Sequence, residues 1–239
     1  MNLKVINGPL DSVSPEFVKL NNYCEESGLD LTLEWEEGQY WLHSDDENEN
    51  SIGIRVDYEL KRHEEFFKRS SIVKELLARA VGVKGGVRPK ILDLTGGLLG
   101  DTLLFLSFGC EVVTLERHPI ISFLIQSSLG NAHHPALSRL KFISQDARSF
   151  LEAEPSTDII FFDPMFEDVN DRALPKKEMR IFRRFVGPDQ DALEIFRIAQ
   201  SLKPKRLVVK RPRHSMELST GSHVKFEGKA TRYDVYFSS

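Results

Sequence analysis

Asp163-Pro164-Met165-Phe166 is the stretch of this chain with the most chemistry in it. An exocyclic amine on a planar base is a poor nucleophile, because its lone pair is delocalised into the ring. A carboxylate such as Asp163 and a backbone carbonyl such as that of Pro164 can each accept one of the amine's N–H groups. The lone pair can then develop toward an electrophilic carbon. Phe166 offers a face on which the base can stack, worth about 1–3 kcal/mol, and the proline ring stiffens the turn. As a bare tetrapeptide the signal is weak. Its place gives it meaning, because three acids precede it in order, Asp93, Glu116 and Asp146, each just after a short apolar run.

The first of these acids stands in Lys90-Ile-Leu-Asp-Leu-Thr-Gly-Gly97, an apolar run that breaks into glycines before Thr102–Phe108, which is apolar at helical spacing. Strand, glycine turn and helix together make the opening of a nucleotide-binding α/β unit, in which backbone N–H groups and a helix N-terminus meet a ligand. Any tight βα turn could look like this, but Asp93 narrows the choice. Its charge would repel a pyrophosphate and attract an ammonium or sulfonium. S-adenosylmethionine carries both, so the turn from Asp93 to Gly97 is expected to hold that cofactor rather than NAD or ATP. Glu116 lies about twenty residues beyond the glycines, where a Rossmann-type fold places a carboxylate on the ribose hydroxyls; simple neutralisation by Arg117 is the plainer alternative. Asp146 could accept from an adenine amino group, cap the helix expected over Ala147–Leu151, or do both.

These residues need a parallel sheet to present them. Strands are expected at Lys90–Leu94, Cys110–Glu116, Leu140–Ser144, Asp158–Phe162 and Arg206–Lys210. Val224–Glu227 and Arg232–Phe237 around Gly228-Lys229 make a closing antiparallel pair. Helices are expected over Leu60–Val81, Pro119–Leu129 and from Gly187-Pro188-Asp189 to Leu202. The fold class is α/β, Rossmann-like, with a mostly parallel seven-stranded sheet and an antiparallel C-terminal hairpin: the class I S-adenosylmethionine-dependent methyltransferase architecture. Residues 1–59 have another texture and are expected to form a small N-terminal α+β subdomain ahead of a domain over 60–239. It would hold a helix over Pro15–Glu26, a hairpin of Leu31–Glu36 and Tyr40–His43, and a third strand over Ile52–Tyr58. Trp35 and Trp41 read as core there.

The net charge of −4 hides an asymmetry. Residues 1–60 hold fourteen acids against Lys4, Lys19 and Arg55, whereas Arg172–Arg213 holds thirteen Lys and Arg against four acids. A basic block of this kind suggests a polyanion partner. Lys176, Lys177, Arg180, Arg183 and Arg184 lie in the long connection after Phe166, where they could grip phosphates beside a target base. No apolar run approaches the roughly 20 residues of a membrane helix, and the N-terminus lacks a basic region followed by an apolar core. Cys24 and Cys110 have neither metal nor disulfide spacing. A cytoplasmic protein without a metal is the expectation.

Residues from about Ile54 to Phe237 resemble the RsmJ-type bacterial small-subunit (16S) ribosomal RNA (guanine-N2)-methyltransferases. The matches are Ala80-Val-Gly-Val-Lys-Gly85, Asp93-Leu-Thr-x-Gly97 with Asp101, Phe108-Gly-Cys, and Leu115-Glu-Arg-x-Pro119. Most specific is Asp163-Pro-Met-Phe166 followed by Ala173-Leu-x-Lys-Lys-Glu-Met-Arg180. The resemblance implies S-adenosylmethionine as donor and a guanine of small-subunit ribosomal RNA, free or in the subunit, as acceptor. It maps cofactor contacts onto Gly100 and Asp101, Glu116 and Arg117, Asp146 and Ala147, and Asp163. Two departures stand out: Leu99 replaces a glycine of the turn, and Phe66-Phe67-Lys68 replaces a glycine-rich stretch. On the residues alone, adenine in DNA or RNA, a protein glutamine, or a non-catalytic role in ribosome assembly stay open.

Overall fold

The computed structural model describes residues 3–8, 14–43, 51–153, 155–165, 186, 187, 189–219 and 223–238. They fall into two compact units. One holds the residues up to Val56 together with Arg117–His133; the other holds Asp57–Glu116, His134–Met165 and the residues from Asp189 onward.

In the first unit, Leu3–Ile6 (β1) pairs in parallel with Leu31–Glu36 (β2), which pairs antiparallel with Gln39–His43 (β3). Glu37 and Gly38, both at positive φ, make the tight turn between β2 and β3. Helix α1 (Pro15–Ser27) has Ser14 as its cap, whose Oγ accepts from the Phe17 N–H at 3.2 Å, and Gly28 in the left-handed region ends it. The buried face comes from Leu31, Leu33, Tyr40 and Leu42. Trp35 and Trp41 are half-buried: Trp35 meets Tyr40 edge-on at 4.8 Å, and Trp41 carries the Arg55 guanidinium 6.0 Å from its ring centroid. Pro119–Gly130 (α5) belongs to this unit, with Phe123 against Phe17 and Tyr40. Among the described residues no third strand forms over Ile52–Tyr58, where one was expected. Only Ile52 bridges to Leu42, and Val56 already starts a helix. Ile52, Ile54 and Val56 are all buried, so their alternation reports an extended stretch packed on one side rather than a ladder.

In the second unit the apolar runs that end in acids lie side by side. Lys90–Asp93 (β4), Glu111–Leu115 (β5), Leu140–Ile143 (β6), Ile159–Phe162 (β7) and Arg206–Pro212 (β8) are parallel, and His223–Glu227 (β9) and Thr231–Tyr236 (β10) close the sheet. The order is β6-β5-β4-β7-β8-β10-β9, with β10 antiparallel to both neighbours. β7 is buried at every residue, as a central strand covered on both faces must be. Phe161 meets Phe105 of α4 (Gly100–Ser107) on one face. On the other, Ile160, Phe162 and Val209 pack with Ala147 and Leu151 of α6 (Ala147–Leu151), and with Ile195 and Phe196 of α7 (Ala192–Ser201).

The single helix expected over Leu60–Val81 is three pieces: α2 (Val56–Arg69), a 3-10 turn at Ile72–Lys74, and α3 (Leu76–Ala80). Asp57 and Glu59 in the first turn and Lys68 and Arg69 in the last complement the dipole of α2, and the Ser70-Ser71 pair breaks the run. α7 starts at Ala192 rather than near Gly187, because Asp189 is engaged elsewhere.

Candidate active site

The strand order reverses between β4 and β7, since successive strands run from β4 toward β6 and then from β7 toward β8. Open α/β sheets bind ligands outside the carboxyl ends of their strands at such a switch point. Asp93 ends β4 and Asp163 follows β7, so both acids stand there.

Asp93 is only 1 % exposed. Its Oδ1 accepts from the Thr95 N–H at 3.0 Å and its Oδ2 from the Thr102 hydroxyl at 2.6 Å, with Thr114 Oγ1 a further 3.2 Å from Thr102 Oγ1. The carboxylate thus locks the turn to α4 from inside. Burial pushes its titration up to about 7, against the pull of Thr102 and Thr95, and Asp101 and Asp163 add to the rise.

The glycine turn is built by close approach. A Cβ on Gly96 would lie 3.0 Å from the Leu115 carbonyl oxygen and 3.1 Å from Thr114 Oγ1. Gly97 has a φ of +50° and donates its N–H to Glu116 Oε2 at 2.8 Å. Leu99, with a φ of +61°, holds a left-handed conformation that favours glycine while its side chain is fully buried. Gly100 and Asp101 open α4, where an acid complements the helix dipole.

The centre of the site is a bridge that the sequence reading did not contain. Lys210, on β8, donates from Nζ to Asp101 Oδ2 at 2.7 Å and to Asp163 Oδ2 at 2.8 Å. The Asp163 N–H donates to Thr95 Oγ1 at 2.8 Å, so Thr95 ties the turn after β4 to the turn after β7. Beyond it, the Met165 N–H donates to Asp189 Oδ2 at 2.7 Å and the Asp189 N–H returns to the Met165 carbonyl at 2.8 Å. This reciprocal pair grips the segment that carries Pro164. Burial raises Asp163 to about 6, with Lys210 opposing and Asp101 and Asp189 adding. Burial works against the charge of Lys210, but Asp163 and Asp101 outweigh it and its titration is raised.

Asp93, Gly97, Gly100, Asp101, Glu116 and Asp163 therefore come together in one unit. Asp146 stands farther out, at the end of β6; its side chain accepts from the Arg148 N–H at 2.9 Å and caps α6, with Ala147 buried behind it. Arg117 is exposed and begins the segment assigned to the other unit. Phe166, Lys176, Lys177, Arg180, Arg183 and Arg184 lie outside the described residues. Sequence reasoning missed Lys210, Thr95 and Asp189. A lone lysine closing the apolar run Leu207-Val-Val-Lys210 was the signal available, since it falls at the carboxyl end of a parallel strand.

The donor set fits S-adenosylmethionine. Asp101 and Asp163 share one ammonium, which leaves an excess of negative charge at the mouth of a glycine turn, suited to a sulfonium and an amino group rather than to a pyrophosphate. Fold and site together define a class I S-adenosylmethionine-dependent methyltransferase. The family model described as "Putative SAM-dependent methyltransferase" matches residues 17–238, and the chain belongs to that family. Among its relatives is a ribosomal RNA small subunit methyltransferase J from Thioalkalivibrio sulfidiphilus, 42 % identical over 193 residues, 77 % of this chain and 75 % of the relative. Another of the same name, from Pseudomonas fluorescens, is 40 % identical over 172 residues, 68 % of this chain and 65 % of the relative. The crystal structure of a SAM-dependent methyltransferase from Neisseria gonorrhoeae superposes with a TM-score of 0.68 at 22 % identity, covering 100 % of this chain and 96 % of that one, and shows the same fold.

Proposed function

We propose that this chain transfers a methyl group from S-adenosylmethionine to the exocyclic N2 of a guanine in small-subunit (16S) ribosomal RNA. The observation that carries the reading is the Asp163 carboxylate at the switch point, held by the Lys210 ammonium while the Asp163 backbone N–H is anchored on Thr95. The relatives named ribosomal RNA small subunit methyltransferase J support the acceptor class. The cofactor, when bound, supplies an activated methyl group on a sulfonium. The turn from Asp93 to Gly97, with Gly100, Asp101, Glu116 and Arg117, holds it, and Asp146 and Ala147 receive its adenine end.

Asp163 and the Pro164 carbonyl accept the two N–H groups of the guanine amine and orient its lone pair. Phe166 stacks on the base. Little acid–base help is needed; the rate comes from alignment. The target base must be unpaired or extruded to reach the site, and Lys176, Lys177, Arg180, Arg183 and Arg184 hold the flanking phosphates. Work on ribosomal RNA would place the protein in the cytoplasm; among the described residues no helix is long and apolar enough to cross a membrane.

The test is incubation with methyl-labelled S-adenosylmethionine and small ribosomal subunits that lack native modification, followed by nucleoside analysis. Labelled N2-methylguanosine is expected. Label in another nucleoside or in protein would overturn the acceptor, and no label despite cofactor binding would overturn the activity.

A further inference from the structure

Lys210 stands where carboxylates from two elements converge. We propose that it is a positioning residue for the methyl transfer: its ammonium ties the head of α4 to the turn after β7, keeps Asp163 ionised, and occupies Oδ2 so that Oδ1 faces the acceptor amine. This rests on the role given to Asp163 above.

The register makes the arrangement. Phe162 pairs with Val209 across the parallel β7–β8 ladder, so Asp163 and Lys210 stand level on neighbouring chains. Lys210 pairs with Tyr233 across β8 and β10. Nζ bonds the Oδ2 atoms of both acids, and among the described residues nothing donates to Asp163 Oδ1. The surroundings of Asp163 are otherwise acidic. Asp101 faces it from α4, Asp93 from β4 and Asp189 from the segment ahead of α7, while Tyr233 on β10, with Glu75 beyond it, is neutral. Burial and Asp101 hold the Tyr233 phenol above its ordinary range. Without the ammonium, like charges would converge on a half-buried carboxyl, and one of such a pair takes up a proton. A protonated Asp163 would present a donor where the amine needs an acceptor.

The experiment compares Lys210→Met, Lys210→Gln and Lys210→Arg with the native chain. Carboxyl-carbon NMR of the aspartates, with Asp163→Asn for assignment, follows Asp163 without RNA. In the Met and Gln variants its titration should rise by about one unit or more, a tenfold change per unit in the ionised fraction at lower pH, while Arg keeps it near native. Gln serves if Met fails to fold. Single-turnover transfer to unmodified small subunits should fall in Met and Gln at neutral pH and recover in alkaline buffer. A titration unmoved by loss of the ammonium, or a deficit equal at every pH, would overturn the proposal. If the native chain itself transfers no methyl to this RNA, the function reading fails, and the NMR titration still decides whether Lys210 holds Asp163 ionised.

Discussion

Asp93 ends β4 and Asp163 follows the neighbouring β7, yet their surroundings give them different work. Both oxygens of Asp93 are taken by Thr95 and Thr102, inside the turn they brace. Asp163 is half-buried and keeps an edge for a ligand. Asp163→Ala should therefore lower single-turnover transfer by about 10²-fold or more, the scale on which a preorganised hydrogen-bonding group contributes. RNA affinity in filter binding should stay near native, and near-normal turnover would remove Asp163 from the chemistry. Asp93 makes a stability prediction instead. Its folded titration is raised, to about 7, so its contribution is full below the unfolded carboxylate range and is lost as pH rises through about 7. The loss is about 1.4 kcal/mol for each unit separating the two pKa values. Urea unfolding of the native chain and Asp93→Asn at acid and at mildly alkaline pH should show the native advantage shrinking as pH rises. A pH-independent difference would mean that Asp93 titrates normally.

At the scale of elements, the βα turn shows what local pattern can and cannot give. The strand-end acids were legible because an acid closing an apolar run is a local feature. Lys210 was not, because its partnership with Asp163 depends on the pairing of Phe162 with Val209 far along the chain. The break at Ser70-Ser71 was hidden by helical spacing that continues on both sides, and α5 reads as an ordinary crossover helix although Phe123 packs on Phe17 and Tyr40. Leu99 is the turn's internal conflict: a left-handed backbone costs an L-residue about 1–2 kcal/mol, while its buried side chain fills the start of α4. Leu99→Ala keeps the strain and empties the site, for a loss of about 2–5 kcal/mol. Leu99→Gly empties it too but relieves the strain. Chemical unfolding should rank the native chain first, glycine second and alanine last, with about 1 kcal/mol between the two variants. Alanine at or above glycine would show that the conformation carries no strain.

Over the whole molecule the balance of −4 would argue against a nucleic-acid partner, and only its distribution argues for one. The acids gather in residues 1–60 and, at the site, around Lys210; the bases gather after Asp163. That separation suits the two ligands of the proposed reaction, since a cationic cofactor and a polyanionic acceptor want opposite fields within one enzyme. Removing bases from Lys176, Lys177 and Arg180 should therefore weaken RNA and leave the cofactor alone. Each lost phosphate contact lowers the slope of log affinity against log salt by about 0.7 for single-stranded RNA, so replacing all three by Gln should reduce it by about 2. Anisotropy titrations of small-subunit RNA across a salt series measure that slope, and calorimetry measures S-adenosylmethionine binding to the same variant. An unchanged slope would take phosphate binding away from this segment. A weakened cofactor with an unchanged slope would assign its charge to the methyl-donor side instead.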